Sequence, residues 1–420
     1  MWIRLIILFS LPAIFTGCSS TLPTKGQMPV ADSFRVGSKS WVAGKYTLAG
    51  TPVVPMWKGK MPVPDSSHIP LLPAEHRLVW QPATKEEGGY NHYACLIKYR
   101  STFFAMWANH SLGEDAPGQR ILFARSGNWQ SWSMVKELFP APGPVKARHE
   151  KGIHYKPDRW AIVNDTLYAI VFVHAAGRYP IAMPVNEDGT TGAPFLLDNL
   201  AAGAALPKGM EAMVVGPAAA AIKEWYRNND QISWWANEAE GVSRKAVDGA
   251  ALIESFMYRA KDNTLVLMLR NWGTPSNPVH NNRVYASFSK DRTHWSKAYP
   301  TDIPDAPTRG QALRLEDGTI LLIGTQYVRE FDKPYYIDRD PLTVSVSNDG
   351  FYFDREYAIR TGAPKTWHIP GVGGRNPGFA YTSSIVDEGY LYTLYSIGKE
   401  DMAISRVLLA NILKKLTHDN

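Results

Sequence analysis

A seven-residue pattern, Ser-x-(Asp/Asn)-x-x-x-(Trp/Phe), recurs along this chain, each time directly after a strand-like run. The copies are Ser126-Gly-Asn128-Trp-Gln-Ser-Trp132, Ser289-Lys-Asp291-Arg-Thr-His-Trp295 and Ser347-Asn-Asp349-Gly-Phe-Tyr-Phe353. The runs before them are Ile121-Leu-Phe-Ala, Val284-Tyr-Ala-Ser-Phe and Leu342-Thr-Val-Ser-Val. Ser, Asp and Asn side chains are short enough to bond the amides of their own turn. Each copy therefore predicts a tight turn between two antiparallel strands, with the aromatic residue closing a small core beneath it. A structural unit repeated in this way dictates the architecture of the whole chain.

The segments between the copies agree with an all-β reading. Tyr93-Ala-Cys-Leu-Ile, Thr102-Phe-Phe-Ala-Met-Trp, Leu167-Tyr-Ala-Ile-Val-Phe-Val and Leu265-Val-Leu-Met-Leu lack helical periodicity. Turn dipeptides separate them: Asn164-Asp165, Asp262-Asn263, Asp317-Gly318 and Glu388-Gly389. With 33 Gly, 30 Pro and 12% aromatic residues, the composition suits many short strands. Units of strand, Asx turn, strand, loop, strand, repeat and strand cover 90–134, 158–197, 250–300, 309–357 and 378–409. Four antiparallel strands in about 40–50 residues make a propeller blade. Length over period predicts a β-propeller of seven blades, with 34–80 helping to close the ring. Residues 201–221, rich in Ala and Gly, read equally as a helix or a buried strand pair.

The N-terminus reads as a targeting segment. Arg4 precedes a short apolar run, Leu5 to Phe15, and Phe15-Thr-Gly-Cys18 resembles a bacterial lipobox. The run is too short for a stable membrane span. The expected outcome is a cleaved signal over 1–17, lipidation of Cys18, a polar tether over 18–32 and one catalytic propeller over 33–420. With Ser19 after the cysteine, a bacterial outer-membrane lipoprotein is expected. Cys95 then has no disulfide partner and reads as a small buried hydrophobe. Net charge is +6 and no Lys/Arg run stands out, so an anionic polysaccharide suits the chain better than nucleic acid. A monomer is expected. No metal motif is present and no cofactor is required, although a structural divalent cation from distant loops stays compatible with the sequence.

Propellers bind ligands at one mouth, on the loops between strands. His92 opens the first clear unit and His110 ends its second strand, so both fall at one end of adjacent strands. Tyr155 opens the next unit, and Arg178 and Tyr179 lie between its inner strands. Tyr226 is a further candidate or a packing residue.

Trp107-Ala-Asn-His110, Glu114-Asp-x-Pro-Gly-Gln119, Thr301-Asp-Ile-Pro-Asp-Ala-Pro-Thr-Arg309, Arg339-Asp-Pro-Leu342 and Lys399-Glu-Asp resemble a bacterial family of seven-bladed propellers, the ulvan and rhamnosyl-glucuronate lyases. The resemblance runs from about Tyr90 to the C-terminus and implies β-elimination beside a uronic acid of a sulfated, ulvan-like polysaccharide. That chemistry needs a cation on the uronate carboxylate, a base for the C5 proton and an acid for the departing oxygen. The resemblance places the cation at Arg178 and the acid–base pair at His92 and Tyr155. His110, Tyr226, Tyr179 and Arg309 then line the substrate, with Tyr168 or Tyr179 as alternative counterparts at the loosely matched positions Tyr155 and Arg178.

The repeats also resemble the Asp-boxes of sialidases, which clamp a carboxylate with three arginines and use a Tyr–Glu nucleophile pair. Ser33-Phe34-Arg35-Val-Gly is similar to their first arginine motif but lacks its Pro. Glu254, Arg270 and Tyr381 supply further parts, or else Glu254 and Arg270 form a buried structural ion pair. A sialidase-like hydrolase is therefore the alternative to the lyase. A non-catalytic glycan-binding lipoprotein is the third possibility, since aromatic side chains also stack on sugars.

Overall fold

The computed structural model describes residues 33–36, 39–48, 50–57, 68–175, 177–200, 206–231, 246–271, 281–328 and 338–414. The expected signal, Cys18 and the tether lie outside these residues. The chain begins with two short hairpins, β1 (Ser33–Val36) with β2 (Lys39–Val42) and β3 (Thr47–Leu48) with β4 (Thr51–Pro52). Next come β5 (Ala74–Trp80) and the single-turn helix α1 (Lys85–Gly88).

Five four-stranded antiparallel sheets make up the rest of the described fold. The first is β6 (Tyr90–Tyr99), β7 (Thr102–His110), β8 (Arg120–Ser126) and β9 (Lys136–Phe139). The second is β10 (His154–Val163), β11 (Thr166–His174), β12 (Arg178–Val185) and β13 (Phe195–Leu196), after which α2 (Ala219–Asn228) packs on β10. The third is β14 (Leu252–Arg259), β15 (Leu265–Asn271), β16 (Arg283–Ser289) and β17 (Tyr299–Pro304). The fourth is β18 (Gln311–Arg314), β19 (Ile320–Gly324), β20 (Leu342–Ser347) and β21 (Arg355–Arg360). In the fifth, β22 (Phe379–Asp387), β23 (Tyr390–Ile397) and β24 (Asp401–Leu408) are completed by β5, which pairs with β24. A short helix, α3 (Leu409–Leu413), follows.

The sheets are propeller blades. Strands in the middle of a blade are buried on both faces, because neighbouring blades cover them; β15, β16 and β20 are buried at every position. Two of the expected turns are two-residue hairpins with left-handed backbone, Asn164-Asp165 and Glu388-Gly389, which matches strand twist. The repeats form as their residue types require. Asp349 Oδ1 accepts the amides of Phe351 and Tyr352 at 2.8 Å, and Ser347 Oγ accepts that of Gly350 at 2.9 Å. Asn128 and Asp291 make the equivalent bonds. Phe353 is buried under its turn.

The expectation of seven blades is corrected to five among the described residues. The five units seen in the sequence are the five blades; the extra two came from dividing the chain length. The described residues of 34–80 form no blade of their own. They run as a belt along blade edges, with Val54 donating to Pro300 O, Phe353 to Met56 O, Leu72 to Ala358 O and Ala358 to Pro70 O. Asp302 Oδ1 fastens the belt by accepting the amides of Met56 and Trp57 at 2.7 and 2.8 Å. Only β5 enters a blade. The Ala-rich stretch ends in the helix α2.

Candidate active site

The inner strands β6, β10, β14, β18 and β22 enclose a cavity of about 230 Å³ on the propeller axis. Tyr93 on β6 and Tyr381 on β22 are the first lining residues on their strands, so both stand at the N-terminal end of the cavity. Each inner strand carrying a key side chain is bulged there: between His92 and Cys95, between Ile253 and Phe256, and between Ala380 and Ser383. Tyr93, Glu254 and Tyr381 sit inside these bulges with left-handed backbone, φ 59°, 50° and 56°. A non-glycine residue held there costs on the order of 1–3 kcal/mol. A bulge turns a side chain out of the alternation of its strand and re-aims it. Here three bulges aim three polar side chains at one place.

The centre of that place is Tyr381. Its hydroxyl donates to Glu254 Oε1, and Arg270 Nη1 donates both to Glu254 Oε2 and to the Tyr381 oxygen, the latter at 2.8 Å. Burial alone would raise the Glu254 carboxyl, but Arg270 and the Tyr381 hydroxyl outweigh it and hold the pKa below its ordinary value. Burial, and then the charge of Glu254, keep Tyr381 protonated far above its usual range. The Arg339 guanidinium lies 5.7 Å from the Tyr381 ring. Arg339 reaches this position because Gly378 lies against its backbone: the Phe379 amide donates to Arg339 O at 2.7 Å, and a Cβ at Gly378 would lie 2.5 Å from Arg339 C and O. Lys399 is buried nearby, its ammonium on Glu114 at 2.8 Å and its pKa lowered to about 8 by burial and by Arg339. Asp305 is buried as well, and desolvation lifts its carboxyl to about 7 against the pull of Arg270 and Arg339. The arrangement is a phenol with an ionised carboxylate at its proton and buried cations around it. Such a set can make the phenol a nucleophile and hold an anionic group beside it.

Of the site residues expected from sequence, His92 is at this centre. Its ring is 3.9 Å from that of Tyr381, its Nδ1 pairs with Ser396 Oγ at 2.9 Å, and its buried Nε2 makes no protein hydrogen bond. Burial and then Lys399, Arg339 and Arg270 keep it neutral. Arg309 lines the cavity, one strand from Tyr381. Tyr226 lies on α2, with its hydroxyl on Asp158 at 2.5 Å and its ring 4.9 Å from the Arg159 guanidinium; it fastens the helix to β10.

The other expected residues are not brought to Tyr381. His110 shares the strand end with His92, but its imidazole organises its own loop. Nδ1 accepts the amides of Leu112 and Gly113 at 3.1 Å, and Nε2 pairs with Pro117 O at 3.0 Å. The Tyr155 ring packs on Phe139, with centroids 5.5 Å apart, and burial raises its hydroxyl to about 12. Arg178 is exposed at the start of β12, 5.8 Å from the Phe172 ring, and Tyr179 is buried in the same blade. None of Tyr155, Arg178 and Tyr179 lines the cavity. Tyr168, an alternative counterpart, meets Phe195 edge to face at 6.0 Å. Arg35 lies in β1, with its backbone opposite Ser40. Cys95 is buried, its thiol donating to Asp158 O.

Tyr93, Arg339, Lys399 and Asp305 were not picked out as site residues from the sequence. The last three stand in the segments Arg339-Asp-Pro, Lys399-Glu-Asp and Thr301–Arg309, so the signal was present without a role attached. Among the described residues, His368, Glu400 and Asp401 bring possible metal-ligand atoms within 4.8 Å of one another. Their charges are already engaged, His368 Nδ1 with Glu400 at 2.8 Å and Glu400 with Arg375 at 2.5 Å.

Residues 149–393 match the protein family described as the BNR repeat-like domain. Among solved structures, the chain is similar to a sialidase at 18% identity and a TM-score of 0.61, over 84% of this chain and 35% of that one. It is also similar to a Trypanosoma rangeli sialidase in complex with 2,3-difluorosialic acid, at 11% identity and a TM-score of 0.50, over 81% of this chain and 60% of that one. The chain thus spans about a third and three-fifths of these two proteins, and at such identities the likeness is one of fold. No curated protein matches the chain.

Proposed function

The chain belongs to the BNR repeat-like domain family, and from that premise we propose that it is a sialidase-like glycoside hydrolase acting on glycosides of a carboxylate-bearing sugar. The observation that carries this reading is the Tyr381–Glu254–Arg270 cluster. In the proposed reaction Arg270 and Arg339 attract the sugar carboxylate, which fixes the anomeric carbon against Tyr381. Tyr381 Oη attacks that carbon while its proton passes to Glu254, and the glycosidic C–O bond breaks with its electron pair on the departing oxygen. A neutral phenol is a better partner than an anion for a reacting centre that sits beside a carboxylate, and the adjacent base removes its proton only as the bond forms. Water then releases the sugar from the tyrosine, and Glu254 returns the proton. Sialosides are the first substrates to test, because the structural neighbours named above are sialidases.

A second reading, β-elimination beside a uronic acid of ulvan type, is favoured by His92. A neutral imidazole with a free Nε2 next to Tyr381 and four cations has the character of a base for a C5 proton. One experiment separates the readings. The protein without its leader is incubated with 4-methylumbelliferyl sialoside and, separately, with ulvan. Release of umbelliferone that falls at least ~1000-fold in Tyr381→Phe supports the hydrolase. Ultraviolet absorbance rising on ulvan from a new C4–C5 double bond, and lost in His92→Ala, would replace it with the lyase. Binding to either glycan without bond cleavage would overturn both and leave a glycan-binding protein. Lipidation at Cys18, an outer-membrane location and a monomeric state belong to the same proposal; Cys18→Ser is expected to abolish labelling by radioactive palmitate.

A further inference from the structure

Tyr381 has a counterpart one blade away. Tyr93 sits in the same kind of left-handed bulge on β6, and the two rings meet edge to face at 5.0 Å. Like Tyr381, it lines the axial cavity. Like Tyr381, it has a carboxylate and a cation at its hydroxyl. Tyr93 Oη lies 3.3 Å from Asp115 Oδ1, to which it donates, and 3.3 Å from Lys156 Nζ, from which it accepts. Lys156 and Asp115 are themselves paired at 2.6 Å, and the ammonium stands 5.1 Å from the Tyr93 ring. A third tyrosine, Tyr90, donates to Glu114, which also pairs with Lys399, but it does not line the cavity.

The hydrolase reading leaves one role unfilled, since the departing oxygen needs a proton. Glu254 is ionised and engaged by Arg270, and Glu114 and Asp115 are each held by a lysine. We propose that Tyr93 is the general acid–base of this site, donating to the departing oxygen in the first half-reaction and activating water in the second; the proposal rests on the hydrolase reading. As Tyr381 Oη bonds to the anomeric carbon, the C–O bond to the leaving group breaks. Its electron pair stays on oxygen, and that oxygen takes the Tyr93 proton. The phenolate left behind faces the Lys156 ammonium, which compensates its charge. In the second half-reaction Tyr93 recovers a proton from the attacking water. Hydroxide adds to the anomeric carbon, and Tyr381 leaves with the proton held by Glu254. Atoms and charges return to their starting state. Burial and then Asp115 raise the Tyr93 pKa well above its ordinary value, so the donor is fully protonated at neutral pH.

The test is the dependence on leaving group. Wild type and Tyr93→Phe are compared on 4-nitrophenyl sialoside, whose phenol departs without help, and on an alkyl sialoside, whose alcohol does not. The expected result is a loss in kcat/KM on the order of 100-fold or more on the alkyl substrate and under about 10-fold on the nitrophenyl one. Lys156→Met is expected to steepen the same dependence by a smaller factor, and it serves if Tyr93→Phe fails to fold. Equal losses on both substrates would mark Tyr93 as structural and overturn the proposal, as would no loss on either. Wild type inert on nitrophenyl sialoside would instead overturn the hydrolase reading, and the role of Tyr93 with it.

Discussion

Glu254 is a carboxylate on an inner strand, buried and within reach of a phenol, and Arg270 is what makes it tolerable there. Removing one partner of such a pair leaves the other charge buried and uncompensated. Glu254→Gln is therefore expected to lower stability by about 3 kcal/mol in urea unfolding, besides abolishing turnover. Arg270→Leu with Glu254→Leu together should recover most of that stability and none of the activity. Asp305 sets a different test, in pH. Its ordinary pKa is 3.8 and its value here is about 7, raised by burial against the influence of Arg270, Arg339 and the Thr308 amide, with Glu254 adding to the rise. The folded state thus binds this proton more tightly than the unfolded one. The resulting stability is complete below about pH 4 and fades as pH climbs to 7. Asp305→Asn removes the fade. Measured by urea unfolding, the variant should gain about 2–3 kcal/mol on wild type between pH 5 and pH 8. The resemblance to sialidases named Glu254, Arg270 and Tyr381 as possible parts of a carboxylate-binding site. It did not rank them above Tyr155 and Arg178. The deciding fact is a left-handed backbone at three non-glycine positions, which residue type does not announce. His110 shows the converse: its strand end was legible, but the loop amides that capture its ring were not.

At the scale of elements, bulges and turns divide the labour. Bulges at the N-terminal ends of the inner strands point side chains to the axis, while the Ser–Asx turns close the hairpins between third and fourth strands, at the other end of the blades. Damage to one should spare the other. Asp349→Ala removes the acceptor of two turn amides and is expected to lower stability by about 1–2 kcal/mol, with kcat/KM unchanged. Gly378→Ala should do more. Its φ is 92° and its Cβ would meet the Arg339 backbone, so the strand start and the arginine must part. A rise in KM for an acidic substrate, larger than the change in kcat, would be the sign that Arg339 has moved. These elements were the most legible part of the chain. Their signals are local: three turn patterns, two left-handed hairpin dipeptides and unbroken apolar strands.

The ring as a whole was less legible. The five blades of the described residues follow from five repeated units, but the belt formed by the described part of 34–80 has no repeat to betray it. It is built from single backbone bonds to outer strands and from Asp302, features that depend on partners distant in sequence. Its final piece, β5, supplies the outer strand of the last blade and covers the edge of β24, which would otherwise offer unpaired backbone to another chain. A chain starting at residue 82 is therefore expected to aggregate, whereas one starting at 33 should melt as a single cooperative unit; size-exclusion chromatography and circular dichroism would tell them apart. The join also sets a clock. His76 and Ser405 meet across it from 329 positions apart, so that whole span must exist before the join can form. Until β24 has been made, β5 waits without its partner, and the last blade stays an open edge.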